Sequence, residues 1–365
     1  MQLPFVMMVS WRDTRKGACV IDSNDVYISH ITALWVWALL SQRGQRATSF
    51  EAVPPPCFGG GLRSSNAQAA RATLQEFLEV VDIPGEIDVL VQSNQQRHIV
   101  RNTRAHTWKA QMPLGSYRRI CDNVLVCCPE FCLMQMSTSL SPVELALLTC
   151  ALAGNYFPAD CSKGFIETRG ILDLMSLERF LSNVPSRTRG IRRCSKALGY
   201  AFEGSRSPME SATALLLTMG RRDGGYHLPR PTLNHRINLG RTARQISETN
   251  YYFIDIYWPQ IRFGLEYNGF EYHTNVSRDL RRELALSEEG ITIQALTLEQ
   301  VLDQTQLRSV VRRIAELHGL RLHRPPAGCP QARYNLINTL FPWDSDLRKF
   351  RQPRYAIPQE FCLDA

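Results

Sequence analysis

Asp255, Glu266, Asn268, His273, Arg278 and Arg282 stand within one short stretch of this chain, and their side chains are those of a metal-assisted reaction on an anionic substrate. Two carboxylates and an amide brought to one surface make an oxygen cage suited to a hard divalent cation such as Mg²⁺. An imidazole close by can move a proton near neutral pH. Arg278 and Arg282, one helical turn apart, share a face and can grip phosphate oxygens. Each group also has a plainer reading: acids on the polar face of a half-buried hairpin are usually solvated, a histidine after a turn often caps a helix, and Asp279 and Glu283 can pair with the arginines as surface ions.

The elements that would position these groups are two strands and a helix. Tyr251 to Trp258 is aromatic and β-branched, and Pro259 ends it. Ile261 to Tyr267 alternates apolar and polar with period two, so Ile261, Phe263, Leu265 and Tyr267 share one face while Glu266 and Asn268 share the other. A hairpin of this length brings Asp255 alongside Glu266. A helix is expected from Arg278 to Glu289 with Gly290 as its stop, then a strand from Ile291 to Leu296, a capping box over Thr297 to Gln300, and an amphipathic helix from Gln306 to His318.

The whole chain has 365 residues, a formal net charge of +8 and 11 cysteines. That length predicts two domains, 1–204 and 205–320, joined at Gly204 to Pro208 and followed by a Pro/Arg-rich tail, 321–365, draped over the surface. The positive charge favours a polyanionic partner. Only five of the 42 basic residues are lysines, and none lies between Lys196 and Lys349. Scattered cysteines in a chain this long argue against a disulfide framework and for a reducing, cytoplasmic setting. No basic-then-apolar leader pattern stands at the N-terminus, and the most apolar run, Ile31 to Leu40, is too short to cross a bilayer, so no membrane role is expected.

Along the first half, short strands and turns to about residue 25 precede a helix over Ile31 to Leu40, capped near Ser29. Pro54 to Gly61 reads as a loop: its glycines lack the following Lys-Ser/Thr of a phosphate-binding loop. Cys127, Cys128 and Cys132 cluster without a CxxC pair and read as buried small residues on a strand, 124–128, and the next helix. Arg189, Arg192 and Arg193 lie in a basic stretch from Arg187 to Lys196 that is either a solvated helix start or a surface for a nucleic-acid backbone. The string Ser-Pro-x-Glu occurs twice, at Ser141 to Glu144 and at Ser207 to Glu210, each time as a helix-opening capping box.

The order Asp255, then Glu266-x-Asn268-Gly269, His273, an arginine-rich helix ending in Gly290 and a strand resembles the PD-(D/E)xK nuclease superfamily, within it the very-short-patch-repair endonuclease-like domains. The resemblance covers about residues 205 to 320. It implies a restriction-endonuclease-like mixed sheet flanked by helices, with Mg²⁺ or Mn²⁺ held by Asp255 and Glu266. Asn268 stands where the superfamily has lysine, and an amide can ligate or position water but cannot act as a base. His273 would assist the attacking water or the leaving group, and Glu210 stands where the family places a further acid, so cap and site both remain open for it.

The first half has a second resemblance. Val26 to Leu34 is similar to the Ser-His-x-(Ser/Thr)-Ala-Leu start of the core in AbiEi-type antitoxin proteins, continued at Ala105 to Trp108, Pro129-Glu130 and Gly190 to Arg193. It implies an N-terminal α+β domain with a possible partner protein. The whole chain is therefore expected to be an α/β protein that cleaves DNA with a divalent metal, in phage defence or repair. The rival expectation is a DNA-binding regulator or toxin–antitoxin component whose nuclease fold does not turn over.

Overall fold

Two mixed sheets carry the fold, one in each half of the chain. The computed structural model describes residues 25–54, 62–80, 82–83, 85–91, 93–94, 97, 100–247, 249–268, 276–323, 326–344 and 349–361. Side chains at 268, 276–278, 343–344 and 349–350 fall outside that description, as do the expected strands before residue 25 and most of the Pro54 to Gly61 loop.

The first half runs β1 (Val26–Ile28), α1 (His30–Gln42), β2 (Glu51–Val53), α2 (Ser64–Leu78), β3 (Ile87–Val91), β4 (Thr103–Thr107), β5 (Tyr117–Cys121) and β6 (Val124–Cys127). These strands form a six-stranded sheet in the order β2-β5-β6-β1-β3-β4. It is followed by α3 (Pro129–Met136), α4 (Pro142–Ala153), the small hairpin β7 (Tyr156–Pro158) and β8 (Phe165–Glu167), α5 (Leu174–Asn183) and α6 (Ile191–Tyr200). Strand β6 is buried at every position, and Cys127, Cys128 and Cys132 are buried free thiols, as small apolar residues would be.

The second half runs α7 (Pro208–Thr218), β9 (Thr232–Asn238), α8 (Arg241–Ile246), β10 (Tyr251–Trp258), β11 (Phe263–Asn268), α9 (Val276–Glu288), β12 (Thr292–Thr297), α10 (Leu298–Leu302) and α11 (Gln304–Leu317). Its sheet has the order β12-β11-β10-β9, with β11 and β12 parallel and the other pairs antiparallel. Helices flank the sheet. Leu286 of α9 buries with Ile254, Tyr257 and Ile291, and Leu307, Val311 and Ile314 of α11 share the main core with Trp258, Phe263, Leu265 and Leu296. Trp258 and Phe263 are both 0% exposed; full burial of each such side chain contributes about 1.5–3 kcal/mol.

The hairpin differs from expectation at one end. Pro259 to Ile261 forms a 3₁₀ turn and Arg262 sits at φ +48°, so β11 begins at Phe263 instead of Ile261. Proline holds φ near −65° and has no N–H to pair, which favours a turn over a ladder here.

The tail corrects a larger expectation. Residues 321–365 do not simply drape over the surface: α12 (Cys329–Leu340) buries Cys329, Arg333, Leu336, Ile337 and Leu340. The Arg333 guanidinium donates to the carbonyls of Gly224 and Gly225 at 2.9 and 3.0 Å and lies over the Tyr226 ring. Beyond the short strands β13 (Trp343–Asp344) and β14 (Lys349–Phe350), Ile357 bridges Ala159 and Trp35 donates to the Tyr355 carbonyl. The chain end thus returns to the first half, and one buried cluster extends from Val26 to Phe361.

Candidate active site

Three carboxylates from three elements converge at the second sheet. In the β10–β11 register Ile256 faces Leu265; one step further Asp255 faces Glu266. In the β9–β10 register Ile254 faces His235, which sets Asn234 beside Asp255. Residues opposite one another in antiparallel strands point to the same face, so Asn234, Asp255 and Glu266 form a row across three strands. Glu210, on the first turn of α7, closes on this row: its Oε2 accepts from Asn234 Nδ2 (2.5 Å) and from the Arg206 N–H (2.9 Å), and its Oε1 accepts from Ser207 Oγ (3.0 Å).

Ser207 caps α7 by accepting from the Glu210 N–H, but the return bond of the expected box goes to Arg206 N instead of to the cap residue's own N–H. The Glu210 side chain has been drawn toward the sheet. It is 7% exposed, and its proton affinity is pushed up to about 7, first by burial and then by Asp255. The carboxyls of Asp255 and Glu266 are raised as well, burial being the largest cause for both; for Glu266 the Asp255 charge comes next.

Positive charge answers only part of this. Arg282 Nη2 donates to Glu266 Oε1 and to the Phe253 carbonyl, each at 2.7 Å, and Arg206 lies over the Phe253 ring near Asp255. Asp255 Oδ2 also accepts from the Tyr267 N–H at 2.9 Å. A carboxylate offers about four lone-pair sites, so these bonds leave capacity for a cation. Hard oxygen donors crowded together and short of positive charge suit Mg²⁺, which keeps most of its waters and takes one or two protein carboxylates. Among the described residues no group of three or more His, Cys, Asp or Glu is arranged to hold a metal ion.

A cavity of about 840 Å³ opens beside this cluster. Glu210, Tyr267, Glu144, Lys163 and, from the returning chain end, Arg351 and Arg354 line it; Asp255 and Glu266 do not.

The remaining expected residues fall as follows. His273 lies outside the described residues, as do the side chains of Asn268, at the end of β11, and Arg278, on α9. Arg282 points inward to Glu266 in place of an exposed phosphate. Arg193 donates to the Ser137 carbonyl at 2.7 Å, and Lys196 pairs with Asp223, while Arg187, Arg189 and Arg192 remain exposed around a cavity of about 490 Å³. Gly190, at φ +93°, lets this segment press against α3: a Cβ there would meet the Met134 carbonyl at 2.7 Å.

Asn234 and Arg206 were not expected at the site. Asn234 carries a readable signal, since it sits at φ +47°, a conformation in which asparagine is enriched, but only the strand register puts it beside Asp255. Searched against known proteins, the chain matches no family model, no curated protein and no solved structure.

Proposed function

We propose that the Glu210–Asp255–Glu266 cluster is the centre of a Mg²⁺- or Mn²⁺-dependent endonuclease acting on DNA, within a PD-(D/E)xK-like second half. The observation that carries this reading is the gathering of three buried carboxylates at one sheet face, their proton affinity raised first by burial, with Arg206 and Arg282 beside them. A protein has little reason to hold such a cluster for stability, since like charges in a partly dry setting repel. A bound divalent cation supplies a water of lowered pKa and neutralises charge developing on the phosphate.

In this reading Asp255 and Glu266 hold the cation and Arg282 orients Glu266 through its 2.7 Å bond. Glu210, with proton affinity near 7, accepts or returns a proton close to neutral pH. Lys163, Arg351 and Arg354, which line the cavity beside Glu210, would meet the nucleic-acid backbone, and the resemblance gives Asn268 and His273 the tasks of positioning water and assisting proton transfer. The first half, similar to the AbiEi-type core, would carry a partner-binding or DNA-contacting role. Among the described residues no helix is long and apolar enough to cross a membrane.

One observation favours the rival, a DNA-binding regulator without turnover: the Arg282 guanidinium already neutralises Glu266, as a replacement for a metal would. Supercoiled plasmid incubated with the protein and Mg²⁺ or Mn²⁺ separates the two. The endonuclease nicks or linearises it, EDTA and Asp255→Ala each stop the reaction, and DNA binding persists in both. Binding without cleavage under every metal assigns the regulator role.

A further inference from the structure

A second built site lies in the first half, far in sequence from the carboxylates. Ser29-His30-x-Thr32 opens α1, and Ala105-His106-Thr107 belongs to the edge strand β4. The fold stacks the two imidazoles face to face, centroids 3.7 Å apart and planes at 20°. Asp88 of β3, 4% exposed, ties the pair down. Its Oδ1 lies 2.7 Å from His106 Nε2, and its Oδ2 accepts from Thr32 Oγ1 at 3.2 Å. A carboxylate oxygen only accepts, so Nε2 of His106 carries the hydrogen and Nδ1 is left for another partner. His30 is held as firmly: its N–H donates to the buried Gln135 Oε1 at 2.9 Å, and its Nδ1 lies 3.0 Å from Ser29 Oγ.

This arrangement costs the fold something. His30 sits at φ +49°, a left-handed conformation that few side chains other than Asn, Asp and His adopt. Four polar side chains, Ser29, Thr32, Asp88 and Gln135, are almost wholly buried to support it. A floor of this kind, buried and tied together by hydrogen bonds, is what a binding site needs to hold its contact groups still.

Above the floor is a cavity of about 420 Å³, within the range of small-ligand pockets. His30, His106 and Trp108 supply flat rings, and Arg97, Lys109 and Arg189 supply positive charge. No carboxylate lines the cavity, and none is paired with those three cations among the described residues. Three converging cations suit a dianion better than the single charge of a diester in a strand.

We propose that this cavity binds a phosphomonoester attached to an aromatic base: the phosphate meets Arg97, Lys109 and Arg189, and the base lies against Trp108. The same chemistry is offered by a free nucleoside monophosphate and by the 5′-phosphorylated end of a nucleic-acid strand. The site is independent of the carboxylate cluster and of any metal there.

The test uses the full chain in EDTA, so that cleavage plays no part. Two short single-stranded oligonucleotides, identical except for a 5′-phosphate, are titrated by fluorescence anisotropy, and AMP is titrated by calorimetry. The proposal expects the phosphorylated strand to bind at least tenfold tighter than its 5′-hydroxyl twin, or AMP to bind saturably where adenosine does not. A preference seen only with the strand assigns a strand end; AMP binding assigns a free nucleotide. The double variant Lys109→Gln/Arg189→Gln, at two exposed positions, should erase the effect. A parent that ignores the phosphate in both formats, or an effect that survives the double variant, overturns the proposal.

Discussion

Ser141 to Glu144 and Ser207 to Glu210 are the same local device set in two surroundings. Both open a helix with Ser at the cap, Pro first and Glu third, and in both the serine accepts from the glutamate N–H, at 3.3 and 3.2 Å. At α4 the glutamate completes the box, its Oε2 accepting from Ser141 N at 2.8 Å, and its side chain remains 33% exposed with Arg354 nearby. At α7 the glutamate turns away from the cap residue's N–H, takes Arg206 N and Asn234 Nδ2 as partners, and sinks beside Asp255. Four residues of sequence fix the helix start in both places. What keeps one glutamate at its cap and draws the other inward is the strand row of Asn234, Asp255 and Glu266, which lies beside α7 and not beside α4.

The sharpest way to break this contrast is to remove the row. Asp255→Ala or Glu266→Ala should lower metal-dependent plasmid cleavage at least about a hundredfold, while circular dichroism shows the fold retained. Cleavage at the parental rate in both variants would leave Glu210 with no site to serve.

Glu210→Gln should come next, with cleavage down about tenfold or more, the range expected for loss of a proton-transfer group. It also carries a stability signature. The folded chain keeps a proton on Glu210 up to about pH 7, whereas an ordinary glutamate releases it near 4.5. Folding therefore takes up protons between those values, and stability falls as pH rises through that window, then levels off. The expected loss is on the order of a few kcal/mol. Urea unfolding from pH 4.5 to 8 should show this slope in the parent and a flatter one in Glu210→Gln; identical slopes would mean that Glu210 titrates like any surface acid.

Asn234→Gly sharpens the comparison further, because glycine keeps the left-handed backbone and deletes only the side-chain bond. That bond favours the ionised Glu210, so the pH midpoint of the stability slope should move upward. A downward move would show that Asn234 does not act through Glu210. The smallest stability effect belongs to the other string: Glu144→Gln can still complete the box and should change stability by well under about 1 kcal/mol, measured by urea unfolding.

The same contrast explains what was legible in advance. Capping boxes at Ser141 and Thr297, the apolar run of β10 and the alternation of β11 are local signals, and the elements lie within a few residues of where those signals put them. Asp255 beside Glu266 follows from one hairpin. The Asn234–Glu210 bond does not, because it depends on a third strand and a helix meeting across the fold. The inward turn of Arg282 was hidden likewise: helical spacing places it on a face but does not name the partner across from it. The tail misled by composition. Its prolines and arginines suggest a surface segment, yet Gly328 before the helix, Pro330 in its first turn and Leu336, Ile337 and Leu340 on one side are helix signals. Arg333 could be buried because two carbonyls and the Tyr226 ring receive it, which no window around residue 333 discloses.

The central claim is that the carboxylate row is short of a divalent cation and holds protons in its place. Calorimetric titration of Mg²⁺ into the protein at pH 7, repeated in two buffers of different ionisation enthalpy, measures both binding and the protons it displaces. The account predicts saturable binding with net proton release in the parent, and loss of both in Asp255→Asn/Glu266→Gln. Mg²⁺ binding of equal affinity in that double variant, or no binding in the parent, would contradict it.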